Sequence, residues 1–349
     1  MARQGPIFTF GVVLIVILKG AGISAEPCPR QVLPFLAAWR RMAEVQSPWY
    51  GAKVSEIPAI IALKKAHSAV ALNFSVEELE KAGLAFSTCR AWGREFVKIE
   101  NLNLRELNPE EFSVFFPFGW LDGEPFERLA NVSGRAFLMA SLPFAPATKE
   151  VLKLFGWSSE MFFAVVFLQE GFYLYQLSNF ARALPVYEAN FYAQCRKSKR
   201  WLGALKKELA IWHELSDSLE HMARARLITR LRRIVSLRRR HLDNPQVKAC
   251  WQATEDWEVW AGLAQYYEFK ILLRAGLIPK ALERELVESD LKLAGRYKEF
   301  YYSSGYMYAR ALARLAPQTA WQPAVEKGVG LYELLAAFVS SGSDFSYRL

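Results

Sequence analysis

The pattern of apolar and polar positions changes near residue 145. Before this point, short apolar stretches with mixed spacing alternate with turn residues. After it, apolar residues recur at the three- and four-residue spacing that is typical of amphipathic helices. The later region predicts helices at 160–179, 202–219, 224–241, 256–275, 278–295, 297–315 and 330–340. The first of these is apolar nearly all round, so we expect it to be a buried central helix.

The region before residue 145 predicts a smaller mixed element. The spacing indicates a helix over 54–71, and Ser75 with Glu78 forms a capping box that opens the next helix. Shorter apolar spacing and turn residues indicate strands at 96–99 and 134–142. The predicted fold class is therefore mainly α (α+β), with a short N-terminal β-sheet element. We divide the chain into a mixed part (26–145) and a helical part (146–349).

The first 25 residues have the layout of a secretory signal peptide. Arg3 gives a positive start, an apolar run occupies 7–18, and small residues precede Ala25, the expected cleavage site. The run of 12 residues is shorter than the roughly 20 that span a bilayer. The alternatives are an uncleaved anchor or a buried helix. We expect export to the periplasm, the cell surface or the medium, without a stable membrane span after cleavage.

Composition narrows the class of protein. With 52% hydrophobic residues in 349, the chain is not intrinsically disordered. Its four cysteines are Cys28, Cys89, Cys195 and Cys250. An even number in an exported chain permits two disulfides with three pairings, of which Cys28–Cys89 with Cys195–Cys250 would close one loop in each half.

The formal charge is +9, and eight arginines lie between residues 224 and 240. Helical spacing places Leu227, Leu231, Ile234 and Val235 of this stretch on one face. We therefore interpret the arginines as the solvated basic face of an amphipathic helix. A nucleic-acid partner is not expected, because base-stacking side chains do not accompany these charges.

The central helix carries the one pattern that points to chemistry, Gln169-Glu170-Gly-Phe-Tyr173-Leu-Tyr-Gln176. Residues 169 and 173 are four apart and share a helix face. In His-Glu-x-x-His, this spacing lets two imidazoles hold zinc while the glutamate acts as general base. Here Gln169 and Tyr173 occupy the imidazole positions.

At these residues the sequence resembles bacterial zincin-type metallopeptidase-like proteins, whose active helix reads His-Glu-x-Phe-His-x-x-Gln. Glu170, Phe172 and Gln176 match that motif in register. In such proteins, a later Glu-Gly-Leu-Ala-x-Tyr helix supplies a third, carboxylate ligand. Residues 260–266 match it, except that Ala261 stands where the ligand glutamate would be. The resemblance covers about residues 130–340 and implies a zincin-like fold around a former His-Glu-x-x-His helix.

The departures from the motif predict that zinc is lost and that the chain has no cofactor. Gln169, Tyr173 and Ala261 replace all three ligands, and none of these side chains is a good zinc ligand. Glu170 keeps the general-base position, while Gln176 and Tyr302 complete the remnant cleft. A metal site rebuilt from His213 and His221 is the alternative to a metal-free chain.

The resemblance and its departures together predict an exported, catalytically inactive pseudo-peptidase that binds a peptide or protein in the remnant cleft. One alternative is an active hydrolase that uses Glu170 with a rearranged or absent metal site. The other is a structural or assembly partner of an active homologue. A P-loop, a dinucleotide-binding fingerprint and a nucleophile elbow are absent from the sequence.

Overall fold

A computed structural model describes residues 26–63, 67–101, 114–115, 124–134, 136–142, 149–150, 152–153, 156–185, 189–292 and 300–341. The predicted signal peptide at 1–25 lies outside them. The fold is mostly helical with one small mixed sheet, which confirms the predicted α+β class. The division at residue 145 stays a prediction, although the main hydrophobic core takes residues from both sides of that position.

The sheet has seven strands among the described residues. Their spatial order is β1-β4-β5-β3-β2-β7-β6. The pairs β1–β4 and β2–β7 are parallel, and the remaining pairs are antiparallel. The strands are β1 (Glu26–Pro27), β2 (Ala59–Leu63), β3 (Ser68–Leu72), β4 (Phe86–Ala91), β5 (Arg94–Ile99), β6 (Val114–Phe115) and β7 (Leu138–Leu142).

Helices cover both faces of this sheet. Alternate residues of β2 point to opposite sides, so Ile61 joins the main core and Ile60 joins a second core with Leu79 and Leu129. In the first part of the chain the helices are α1 (Leu33–Ala43), α2 (Val76–Lys81) and α3 (Glu124–Ser133). The predicted capping box at Ser75 and Glu78 is confirmed.

The later region is helical, as predicted. Its described helices are α4 (Ser159–Asn179), α5 (Ala189–Lys197), α6 (Lys199–Ser216), α7 (Arg224–Arg239), α8 (Pro245–Trp257), α9 (Leu263–Arg274), α10 (Lys280–Lys292), α11 (Phe300–Leu315), α12 (Gln318–Glu326) and α13 (Leu331–Ser341). Between α8 and α9 the chain continues as a π-helical segment, Glu258–Gly262.

The predicted helix at 54–71 is wrong. Among the described residues of this range, Val54–Glu56 forms one helical turn, and the strands β2 and β3 follow it. Both strands are buried along their whole length, so their sequences are continuously apolar. A continuous apolar run does not distinguish a buried strand from a buried helix, which explains the error.

Two disulfides join distant segments of the chain. Cys28 bonds to Cys89 on β4, and Cys195 on α5 bonds to Cys250 on α8. This is the pairing that closes one loop in each half. Disulfides persist in oxidising compartments, so both bonds are consistent with a protein that functions outside the cytoplasm.

The π-helical segment and α11 cross at two glycines. A Cβ atom at Gly262 would lie 2.4 Å from the Cα atom of Gly305, and one at Gly305 would lie 2.4 Å from the carbonyl oxygen of Glu258. Because real Cβ atoms do not approach so closely, only glycine at both positions allows this backbone contact. This backbone contact sets the position of α11, which carries Tyr302, against the π-helical segment.

Candidate functional site

The central helix α4 places three polar side chains where its face is only half buried. The hydroxyl of Ser158 caps the helix by accepting from the N–H of Met161. Three to four turns after the cap come Gln169, Glu170 and Tyr173, all partly exposed within an otherwise apolar helix. The helical prediction for 160–179 is therefore confirmed, and its polar positions form the beginning of a site.

Tyr173 meets Tyr302 of α11 at this site. Their hydroxyl oxygens lie 3.5 Å apart, and Tyr173 donates. Burial raises the pKa of the Tyr173 hydroxyl well above its ordinary value, and the neighbouring Tyr302 raises it further. Burial also raises the pKa of Tyr302, while Gln169 lowers the pKa of both hydroxyls to a smaller extent. Both phenols are therefore neutral at physiological pH, and Gln169 lies beside them.

Glu170 shares the site with a second carboxyl group, that of Glu268 on α9. Burial raises the pKa of Glu170 to about 7. The side chain of Glu268 is buried, and its pKa is well above the ordinary value because of burial and, next, the negative charge of Glu170. With a pKa of about 7, the carboxyl group of Glu170 is partly ionised at neutral pH.

Glu268 was missed by the sequence analysis, although a signal for it exists. It stands within the apolar stretch Leu263–Arg274, and it lies seven residues, or two helical turns, after Ala261. A lone carboxylate among large apolar residues of a helix is a candidate for a perturbed pKa. Only the packing of α9 against α4 reveals that it interacts electrostatically with Glu170.

Gln176 and Ala261 belong to the packing beside the site. The amide of Gln176 donates to the carbonyl oxygens of Val259 (3.1 Å) and Trp260 (3.2 Å) in the π-helical segment. Ala261 lies fully buried in that segment. The ring of Trp260 reaches Tyr173, with 6.4 Å between centroids. Gln176 thus ties the two predicted motif segments together.

The residues at the expected zinc positions do not fit zinc. Gln169 is a neutral amide, Tyr173 is a neutral phenol that is already hydrogen-bonded to Tyr302, and Ala261 has no donor atom. Of the histidines considered as replacements, His213 lies on α6 and His221 is exposed in the turn that follows. Among the described residues, no group of three or more His, Cys, Asp or Glu side chains could hold a metal.

A groove of about 490 Å³ lies on a different face of α4. Gly171, Leu174 and Tyr175 line it from the helix, and residues 51–53 and 56–58 line it from the opposite side. Gln169, Glu170 and Tyr173 are not among its lining residues. The polar cluster and this groove are therefore separate features of the central helix.

No family model, no curated protein and no solved structure matches the chain. In the described part of the chain, no helix is both long enough and apolar enough to cross a membrane.

Proposed function

We propose that this chain is an exported, catalytically inactive protein of zincin-like ancestry that binds a peptide or protein segment at the surface around Glu170. The hydrogen bond between Tyr173 and Tyr302 is the observation that carries the proposal. It joins Tyr173, at the second imidazole position of the motif, to Tyr302 of α11 through neutral phenols. We therefore assign this position to packing and recognition instead of metal binding.

The chemistry of the remaining carboxyl groups supports this role. In a metallopeptidase, the metal ion activates the attacking water and the glutamate accepts its proton. Here the side chains of Gln169 and Tyr173 are poor ligands for such an ion. The carboxylate of Glu170 can instead accept hydrogen bonds from a peptide backbone. The amide of Gln169 and the two hydroxyls can both donate hydrogen bonds to the backbone and accept them from it.

The zinc content of the purified protein tests the proposal that the site around Glu170 does not bind metal. After incubation with zinc and desalting, mass spectrometry of the purified protein should find less than about 0.1 zinc per chain. The variant Gln169→His/Tyr173→His restores two imidazoles at the motif spacing and serves as the gain-of-binding control. About one zinc per wild-type chain, lost on changing His213 or His221, would contradict the proposal.

Peptide binding is tested separately. Immobilised protein is incubated with a peptide library, and both the retained peptides and the cleavage products are identified by mass spectrometry. We expect retention without cleavage, and we expect Glu170→Lys to reduce retention because it reverses the charge at the site. Equal retention by wild type and variant would place peptide binding elsewhere.

One observation favours a second candidate, a metal-free hydrolase. Glu170 has a pKa of about 7 and interacts with the buried carboxyl group of Glu268, and a carboxyl group with a pKa near the working pH is suited to general acid–base catalysis. This candidate predicts cleavage of library peptides by wild type and its loss in Glu170→Gln.

A further inference from the structure

The arginines of α7 differ in their environments, contrary to the expectation of a uniformly solvated face. Arg238 is fully buried and binds Glu208 and Glu258. Arg230 pairs with Glu214 at 3.0 Å. Two others donate to backbone carbonyls, Arg224 to that of Leu315 and Arg232 to that of Val339. No ion pair is found within the described residues for Arg226, Arg233, Arg239 and Arg240.

Some of these cations line a groove of about 500 Å³ between α6 and α7. Its positively charged lining residues are Lys207 from α6 and Arg232, Arg233 and Arg240 from α7 and its C-terminal end. The one acidic lining residue is Glu214, which already pairs with Arg230. Ala210, Ile211 and Leu237 contribute apolar surface. The groove therefore carries an excess of three positive charges.

The spacing of the cations suits an extended chain. Arg233 and Arg240 are seven residues apart, so they lie on nearly the same helix face and about 10.5 Å apart along the axis. Three residues of an extended peptide span about 10 Å. Lys207 faces the Arg240 end, because the contacts Glu208–Arg238 and Glu214–Arg230 show that α6 and α7 run antiparallel. Two carboxylates spaced along an extended segment would therefore each form an ion pair with a different cation of the groove.

We propose that this groove binds an acidic peptide segment of a partner protein. Like charges lining a recess repel one another and concentrate positive potential there, and an anionic ligand relieves that repulsion. A recess favours a narrow chain over the flat surface of a bilayer. Its lining residues include no aromatic side chain on which a nucleic-acid base could stack. The groove is built from other helices than the Glu170 site, so the two binding proposals are independent.

The test measures binding of a fluorescein-labelled oligoglutamate peptide to the purified full-length protein by fluorescence anisotropy. We expect affinity that falls as salt rises from about 0.05 M to about 0.5 M. Arg233→Glu/Arg240→Glu should weaken binding by about tenfold or more. The control Lys199→Glu/Arg200→Glu makes the same change in net charge at exposed positions outside the groove and should leave affinity within about twofold.

Three outcomes would overturn the proposal. The first is an equal loss of affinity in the groove and control variants, and the second is no peptide binding by wild type. The third is sedimentation with phosphatidylglycerol–phosphatidylcholine vesicles that depends on Arg233 and Arg240 while the peptide does not bind. Circular dichroism checks the fold of each variant, and the milder Arg233→Gln/Arg240→Gln, with an expected smaller loss, replaces the charge reversal if that one does not fold.

Discussion

Glu170→Gln is expected to stabilise the protein at neutral pH. The carboxyl group of Glu170 has a pKa of about 7 in the folded chain because burial disfavours its ionised form. In the unfolded chain the same group has its ordinary pKa of 4.5. Glutamine has nearly the same shape and is neutral at every pH, so it retains the packing and removes the penalty of ionisation.

The sign of the effect follows from proton binding. Between pH 4.5 and about 7 the folded state binds more protons at Glu170 than the unfolded state does, so this group makes stability fall as pH rises. Its contribution is fully present below pH 4.5 and is lost above about pH 7. Raising a pKa from 4.5 to about 7 corresponds to about 3 kcal/mol. This is an upper bound, because the pKa of Glu268 also responds to the charge of Glu170.

Urea unfolding of wild type and Glu170→Gln at several pH values measures this pH-dependent contribution of Glu170 to the free energy of unfolding. The difference in free energy of unfolding should be close to zero below pH 4.5, rise through pH 6 and level off above about pH 7 in favour of the variant. Glu80→Gln, at an exposed position on α2, is the matched control and should show no such rise. A difference that is independent of pH would refute burial of an ionisable Glu170.

Three further predictions concern what holds the helices together, each measured as a free energy of unfolding in urea. Arg238→Met should destabilise by about 3–5 kcal/mol, since it leaves the buried carboxyl groups of Glu208 and Glu258 unpaired, whereas the exposed control Arg239→Met should stay within about 0.5 kcal/mol. Gly262→Ala should destabilise by about 1–3 kcal/mol because its Cβ meets the backbone of Gly305. The control Gly203→Ala has open space on a helix and should be neutral or stabilising. Replacing Cys195 and Cys250 with serine should cost about 4 kcal/mol, since their disulfide closes a loop with a sequence separation of 55; an unchanged stability would contradict the bond.

The helical region was predictable because its signal is local. Apolar residues at three- and four-residue spacing located the core of the long helices, including α4, α6, α7 and α11. Their ends differ from the prediction by a few residues, and α8, which begins at Pro245 after the cap residue Asn244, was not predicted as a separate helix. The side chain of Asn244 accepts from the N–H of Val247, and proline is well suited to the first turn of a helix.

The sheet was less predictable because its strands are defined by pairing over long distances. β2 lies between β3 and β7, and β7 follows it by more than 70 residues. Nothing local in Ala59–Leu63 distinguishes it from a helical turn. β4, absent from the sequence prediction, alternates exposed and buried residues only in part and is fixed by its register with β5.

The candidate site shows the same division between local and distant information. Gln169, Glu170 and Tyr173 could be grouped from helical spacing alone. The contact of Tyr173 with Tyr302 and the electrostatic interaction of Glu170 with Glu268 depend on how α4 packs against α9 and α11. No spacing rule within one helix reports such packing, so the sequence could mark Glu268 as a candidate, but only the structure could associate it with Glu170.

Removal of metal should leave the stability of this chain unchanged, because contacts between side chains hold the helices around the site. Phe172 of α4 stacks on Tyr267 of α9 with 4.7 Å between ring centroids. Gln176 binds the π-helical segment, and Gly262 meets Gly305 of α11. In a metal-dependent fold, ligands from separate helices would supply this link, and bound metal would add to the free energy of unfolding.

The measurement is the thermal unfolding midpoint of the wild type before and after treatment with EDTA. The control is zinc-loaded Gln169→His/Tyr173→His, from which EDTA removes the bound zinc. We expect identical midpoints for the wild type and a lower midpoint for the treated control. A lower midpoint for the treated wild type, reversed by adding zinc, would mean that a metal ion ties its helices together. Contacts between side chains would then not be sufficient to hold these helices around the site.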